Sequence, residues 1–255
     1  MPQTDFSLAR EHAIYQLLNA PVREYPSPHS YIENFFPADF YERIQEHMIS
    51  RKDLQPLYET GRIGVRYKDR GGETPYKDRY VMPMPSKRMD ALSCAQRTFW
   101  DAMSDLLNSI EMQTALLHQF QPLVDERLGP DLGGASFKSN VQFIQDQGNY
   151  KIGPHTDHSE KVISILIYLP LTDEHSEWGT SLYAPKDRNF RCIGGPHHGF
   201  EDFDRLYTAE FRPNSAVCIL KTSYSFHGVE QNPSADIERN LIQVCIQHEP
   251  ITKPL

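Results

Sequence analysis

The chain has 255 residues, a formal net charge of −8, 39% hydrophobic residues and 24% charged residues. With 13 Tyr and 13 Phe it is too apolar and aromatic to be disordered, and its acidic balance argues against a general nucleic-acid binder. What remains is a soluble globular protein long enough for one sizeable core or two small ones.

The N-terminal stretch MPQTDFSLAREHA has no apolar run of the kind a secretory leader needs. The most apolar run, 162–171, is about half of the roughly 20 residues needed to cross a bilayer. The four cysteines, Cys94, Cys192, Cys218 and Cys245, form no C-x-x-C pair and read as reduced thiols. A cytoplasmic protein without a membrane span is expected.

The first half reads as helical. Phe40, Ile44 and Met48 recur every four residues and predict a helix over 40–49, with Asp39 as N-cap. Met89, Leu92, Ala95, Phe99, Met103, Leu106 and Leu107 predict a longer helix that starts after Pro85, capped by Ser86. A third helix over 114–128 stops at Gly129-Pro130. Between the first two, segment 61–85 holds the near-repeat Tyr67–Arg70 and Tyr76–Arg79. It reads as a strand or two about a Gly71-Gly72 turn, with two readings of its place: a border of the active site, or, the default, a solvated charged loop.

After Gly133-Gly134 the character changes. Segments 136–144, 162–169, 181–184, 216–220, 223–230 and 241–247 are short, β-branched or aromatic, and bounded by Pro, Gly, Asn and Asp. Helices followed by strands indicate an α+β fold with a mainly β core. Strands at this spacing suit a sandwich or jelly roll. The whole of 1–255 reads as a single domain, with 1–130 mainly helical and 131–255 forming the β core. One long connection, 185–213, holds Lys186, Arg188, Arg191, Gly194-Gly195, His197 and His198 and has the makings of a lid.

Chemistry concentrates at Gly153-Pro154-His155-Thr156-Asp157. In an extended strand, residues two apart project from one face, so His155 and Asp157 aim at one point. The pairs His158/Glu160 and His175/Glu177 have the same spacing and are read as chance decoys. His227, at the end of a later apolar strand, completes a face of two imidazoles and one carboxylate. Such a face favours Fe(II) and leaves three coordination positions open. Arg239 follows across a hairpin-like turn, 230–237, that would fold its strand back beside His227. Its planar guanidinium suits the far end of a dicarboxylate whose near end chelates the metal.

This order of residues over 137–247, nearly half the chain, resembles the 2-oxoglutarate- and Fe(II)-dependent dioxygenase family. The stretch ProHisThrAsp is most similar to the prolyl-hydroxylase-like branch or a related small-molecule hydroxylase. The resemblance implies a double-stranded β-helix (jelly roll, cupin-like) with N-terminal helices packed on it. It implies His155, Asp157 and His227 as iron ligands and Arg239 as the anchor of 2-oxoglutarate. With O2 as co-reactant, the implied reaction hydroxylates an unactivated C–H and releases succinate and CO2, while the cations of 185–213 and the aromatic content point to a small polar or anionic substrate. The ionisable Asp157, where halogenases of the family have a small residue, implies oxygenation. Two departures stand out. The family's Arg-x-Ser pattern is Arg239-Asn-Leu241 here, and the prolyl-hydroxylase branch usually anchors with Lys.

Softer candidates surround this set. Tyr150 and Gln142 precede the triad and are candidates for bonding 2-oxoglutarate, although a satisfied buried polar group is an equal reading of each. Trp178, Arg188 and Arg191 are candidate substrate contacts. Two other readings use part of the same pattern. A cupin-like metal enzyme (isomerase, hydrolase or cosubstrate-independent dioxygenase) has no use for Arg239, and a non-catalytic ligand-binding jelly roll needs no metal.

Overall fold

The first half is mainly helical and most strands follow it, but three short strands, His29–Ile32, Gln55–Pro56 and Arg79–Met84, lie among the helices, and several boundaries differ from the sequence pattern. The computed structural model describes residues 3–61, 76–129, 136–231 and 237–249. Helix α1 (Gln3–Asn19) buries Ala9, Ala13 and Leu17. Its exposed Leu8, Tyr15 and Leu18 blur the period, which is why the sequence hides it. Helix α2 (Ala38–Glu46) buries Phe40, Tyr41 and Ile44 and ends before Met48. Pro37, not Asp39, is its N-cap.

Helix α3 (Cys94–Asn108) is shorter than its pattern, because Lys87–Ala91 forms a separate 3-10 turn. The cap is Ser93, in a capping box with Gln96, rather than Ser86. Met89 and Leu92 are buried like helix residues, and so they extend the period falsely. The single helix expected over 114–128 is two, α4 (Ile110–Gln119) and α5 (Gln121–Leu128). Ser109 caps α4, Pro122 lies in the first turn of α5, and Gly129 ends it with φ 53.

Eleven strands are described, and every pairing is antiparallel. They are β1 (His29–Ile32), β2 (Gln55–Pro56), β3 (Arg79–Met84), β4 (Ser136–Gln147), β5 (Ile152–His155) and β6 (Lys161–Tyr168). Then come β7 (Thr180–Pro185), β8 (Phe203–Ala209), β9 (Ser215–Leu220), β10 (Phe226–Val229) and β11 (Glu238–Glu249). Seven form a large sheet in the order β1-β9-β6-β11-β4-β3-β2, and four form a small sheet in the order β5-β10-β7-β8.

Strand alternation decides what each face of the large sheet carries. Ile163, Ile165 and Ile167 of β6, and Ile242, Val244 and Ile246 of β11, pack in one cluster with Trp100 and Phe99 of α3. Trp100 meets Phe143 of β4 edge-on at 5.6 Å. The alternate residues Ile144, Tyr168, Val217 and Leu241 form a second cluster with Leu182 of the small sheet. Burying each such side chain contributes roughly 1.5–3 kcal/mol. A slip of one residue in β11 would exchange its two faces, so the apolar helix side also fixes which β11 residues look between the sheets. Arg239 and Gln243 share the parity of Leu241.

Three expectations change here. The connection 185–213 is not one long loop, since it contains β8, a strand paired among the described residues with β7 alone and marked by exposed Arg205. Of the expected hairpin-like turn, 232–236 lie outside the described residues, but the strands on either side do not pair with each other: β10 pairs with β5 and β7 while β11 pairs with β4 and β6. Arg239 therefore lies in the sheet opposite His227. Of the near-repeat, Tyr67–Arg70 and the Gly71-Gly72 turn lie outside the described residues, and Arg79 is a strand residue rather than a solvated one. Among the described residues no helix is long and apolar enough to cross a membrane.

Candidate metal centre

His155 ends β5 and His227 sits in β10, directly opposite it in the pair, with ring centroids 4.4 Å apart. Asp157 lies just past the end of β5, so it shares the direction of His155 without being a strand residue. One ligand atom from each of the three can be chosen so that all lie within 4.8 Å of one another. His155 Nδ1 is 3.0 Å from the carbonyl of Gly153, and His227 Nδ1 is 3.0 Å from that of Ser225. Each contact puts the proton on Nδ1 and leaves the Nε2 lone pair for a metal. Burial holds both imidazoles below the ordinary 6.5, His155 further because His227 and His197 are close. Both are therefore neutral, the form that binds metal.

Asp157 is 9% exposed. Burial alone would raise its pKa, but the Lys161 ammonium, His227 and His155 outweigh that and hold it well below the usual carboxylate range. Lys161 Nζ donates to Oδ1 at 2.7 Å, and Ser164 Oγ donates to Oδ2 at 2.7 Å. The carboxylate is thus ionised and fixed in orientation before any metal arrives.

A cavity of about 360 Å³ opens on the triad, walled by Ile144, Ile152, Leu166, Val229 and Leu241. Arg239 lines it from the large sheet and is 5% exposed. Its Nη1 donates to Asp146 Oδ2 at 2.9 Å, its Nε to the Trp178 carbonyl at 2.8 Å, and its Nη2 to Thr180 Oγ1 at 3.1 Å. Arg79 takes the same carboxylate in a fork, at 2.6 Å and 2.8 Å. Two guanidiniums thus face the single carboxylate of Asp146, which leaves this corner with a net positive charge. Thr180 also lines the cavity and brings, from β7, the hydroxyl that Leu241 does not supply.

The other sequence candidates divide. Gln142 lines the cavity and donates to Gln243 at 2.5 Å. Tyr150 does not reach it. Its ring lies 4.2 Å from the Arg79 guanidinium, and its buried hydroxyl has no partner among the described residues. Trp178 meets Arg239 only through its backbone, and its ring stacks on His175. Arg188 and Arg191 are exposed and stay outside the cavity. Arg188 pairs with Asp204, and the Arg191 guanidinium lies over Tyr224. Long cations on an outward turn satisfy themselves locally.

Lys161 and Asp146 have no assigned role in the sequence analysis, and Arg79 and Thr180 enter it only as parts of segments near the site. Two had a readable signal, since Lys161 is four residues after Asp157 and Asp146 has the strand parity of Gln142. His197 sits on the cavity rim, with its ring 4.6 Å from that of His155. The segment bearing it is tied down by His198 N to the Pro154 carbonyl and by Thr156 Oγ1 to the Cys192 carbonyl. Gly194, at φ 124, lies where a Cβ would overlap the Asp157 carbonyl. Close approach and a positive φ together are the reason for that glycine.

Behind the triad, Lys221 is 4% exposed and donates to Thr156 Oγ1 at 3.3 Å and to the Thr222 carbonyl at 2.7 Å. Burial, then the charge of Arg127, lowers its pKa to about 8. The unfolded chain keeps this amine protonated to about 10.4. Between these values the unfolded state binds more protons, so wild-type stability gains as pH rises above 8. The expected result is that Lys221→Met is the more stable protein at pH 7 and that its advantage shrinks from pH 8 to 10. Parallel denaturation midpoints across that range would contradict a buried, depressed lysine.

No protein-family profile matches the sequence, and no curated protein matches it. Solved structures do match. An oxidoreductase of the 2OG-Fe(II) oxygenase family from Burkholderia pseudomallei aligns over 93% of this chain and 90% of its own, at 14% identity and TM-score 0.50. A Pseudomonas putida prolyl-4-hydroxylase aligns over 93% and 98%, at 13% identity and TM-score 0.48. The non-heme alpha-ketoglutarate-dependent epimerase SnoN from nogalamycin biosynthesis aligns over 94% and 83%, at 12% identity and TM-score 0.47. At such identities it is architecture that is shared, and the mixed helical and antiparallel-sheet fold of this chain is similar to that of the Burkholderia oxidoreductase.

Proposed function

We propose that the protein is an Fe(II)- and 2-oxoglutarate-dependent oxygenase on a double-stranded β-helix, and that it hydroxylates an unactivated C–H of a small polar substrate. The observation that carries this reading is the convergence of His155, Asp157 and His227 in one cavity with Arg239. The strand pattern supports it, since β4 to β11 are shared between two facing antiparallel sheets. The donor set fits the metal. Two neutral imidazoles and one ionised carboxylate suit Fe(II) and leave positions for a chelating cosubstrate. The positive corner at Arg239 and Arg79 fits the distal carboxylate of 2-oxoglutarate, with Thr180 as its hydroxyl partner.

Bound Fe(II), with 2-oxoglutarate and O2, supplies oxidative decarboxylation to succinate and CO2 and the oxidising equivalent that puts oxygen into a C–H bond. The chain's own residues do the rest. Lys161 and Ser164 keep Asp157 ionised and turned to the metal. Gly153 and Ser225 orient the imidazoles. The walls built by Ile144, Leu166 and Leu241 exclude water, and Arg239 fixes the cosubstrate by charge and by shape. Asp157 fills the position that a halide would need, which favours oxygenation. We read the chain as a single cytoplasmic domain that acts on a small-molecule substrate and has no nucleic-acid or membrane partner.

Anaerobic addition of Fe(II) and 2-oxoglutarate to the folded protein is expected to produce a weak visible charge-transfer band. A folded protein without that band counts against the reading. A metal enzyme without cosubstrate is the second reading, favoured by the three hydrogen bonds that Arg239 already makes inside the protein. It predicts metal binding with no band on adding 2-oxoglutarate.

A further inference from the structure

A second, larger cavity of about 770 Å³ lies beside the metal centre, between α3, the end of β3 and strands β4 and β11. Gln142, Lys161 and Gln243 line both cavities. A molecule lying in the larger one therefore abuts the triad cavity along a shared wall.

The groups this trough offers are mostly neutral side chains with both donor and acceptor character. Six are amides: Asn108, Gln113, Asn140, Gln142, Gln243 and Gln247. Ser104 and Ser139 add hydroxyls. The charges on the lining are few: Asp105 and Lys138 are one of each sign, and Lys161 is already paired with Asp157. The amides are prearranged. Asn140 donates to Gln247 at 2.8 Å across β4 and β11, and Gln142 donates to Gln243 in the next tier. At the α3–α4 corner, Asn108 and Gln113 are both bonded to Ser139. An amide pair joined by one hydrogen bond still presents a carbonyl and an NH2, as Asn140 and Gln247 do here.

That chemistry selects a ligand. A carboxylate or phosphate wants donors only, and an ammonium wants acceptors only. Adjacent hydroxyls both give and take protons, and they match paired amides. Phe137, partly exposed on the lining, offers a flat apolar face for ring C–H groups. An extended peptide would instead need backbone groups at a sheet edge, whereas the polar groups here are side chains. The volume is within the range of small-molecule sites.

We propose that this trough binds a neutral, polyhydroxylated part of the substrate, a sugar or cyclitol unit, and presents its reacting carbon to the metal centre across the Gln142–Gln243 pair. The presentation step rests on the oxygenase reading above; the binding step does not.

The test is saturation-transfer NMR on the metal-free full chain with methyl glucoside, maltose and myo-inositol as probes. Glutarate and a neutral tetrapeptide serve as competitors of other classes. Transfer to at least one polyol is expected, with affinity weakened at least tenfold in Asn140→Leu and Gln247→Leu. Gln247→Glu keeps the shape of the side chain and tests the same point should a Leu variant not fold. No transfer to any polyol, equal binding in the variants, or transfer to the peptide alone overturns the proposal. The Fe(II)–2-oxoglutarate band, measured on the same preparations, is expected to be unchanged. Polyol binding without the band removes the oxygenase reading and leaves the trough; the band without polyol binding does the reverse.

Discussion

Asp157→Ala is expected to abolish substrate-coupled succinate formation, by more than about a hundredfold, beyond the usual cost of losing an outer-shell partner. The reason is double. The variant loses one of three metal ligands, and it leaves the Lys161 ammonium, 2.7 Å from the missing oxygen, without its counter-ion. Removing one partner of a buried pair costs on the order of 3 kcal/mol in stability. A loss of activity alone is therefore ambiguous, because an unfolded protein is also inactive. The double variant Asp157→Ala with Lys161→Met separates the two effects. It removes both charges, so its thermal midpoint should recover most of the loss while turnover stays absent. Lys161→Met alone should keep the metal site but hold Asp157 less firmly. Metal affinity measured with Fe(II) under argon is then expected to fall about 10- to 100-fold, the range for outer-shell partners. Turnover that survives in Asp157→Ala, with its fold intact, would take this residue out of the ligand set.

The same pair shows what a linear reading can and cannot find. His155 and Asp157 are two apart, and local extended geometry is enough to aim them together. His227 is far away in sequence, but a second imidazole at the end of an apolar strand is a short list. Lys161 was equally local, at i+4 from Asp157, and was missed because a lysine at the start of a strand reads as solvated. Asp146 was missed for the opposite reason. It lies in a turn-rich stretch, Gln145 to Gly148, where an acid is ordinary. Only strand parity, with Gln142 and Ile144, marks it as inward-facing.

Helix ends failed where burial outlasts the helix. Met89 and Leu92 keep the apolar period in a 3-10 turn, so periodicity alone cannot place the start at Ser93. Strands failed where residue type hides them. Gly153-Pro154 conceals β5, and the charged, single-partnered β8 passes for loop. The Arg239 strand was placed beside His227 by the nearness of the two in sequence, which carries no information about which sheet each strand joins. Its side chain reaches the cavity from the facing sheet because β11 presents Arg239 and Leu241 on the same side.

The buried ionic cluster of Arg79, Asp146 and Arg239 sets the second large expectation, in which fold and function separate. Asp146 is 1% exposed and pairs with two guanidiniums at once. Asp146→Asn leaves both cations facing each other in a dry corner. A loss of roughly 3–5 kcal/mol is expected, the range for a broken buried pair, visible as a lower denaturation midpoint. Arg239→Gln removes one cation and leaves the Arg79–Asp146 fork intact, so its stability cost should be smaller. Its effect should fall on the cosubstrate. A charge-assisted pair worth about 3 kcal/mol corresponds to roughly a hundredfold rise in the 2-oxoglutarate requirement. Arg239→Lys keeps the charge but not the fork, and an intermediate requirement is expected. The ordering discriminates between anchor and strut. If Arg239 only braces Trp178, Thr180 and Asp146, Arg239→Gln will lower the midpoint as far as Asp146→Asn does and leave the 2-oxoglutarate requirement unchanged. If it is the anchor, the requirement will rise in the order Arg, Lys, Gln, while the midpoints of the two Arg239 variants stay above that of Asp146→Asn.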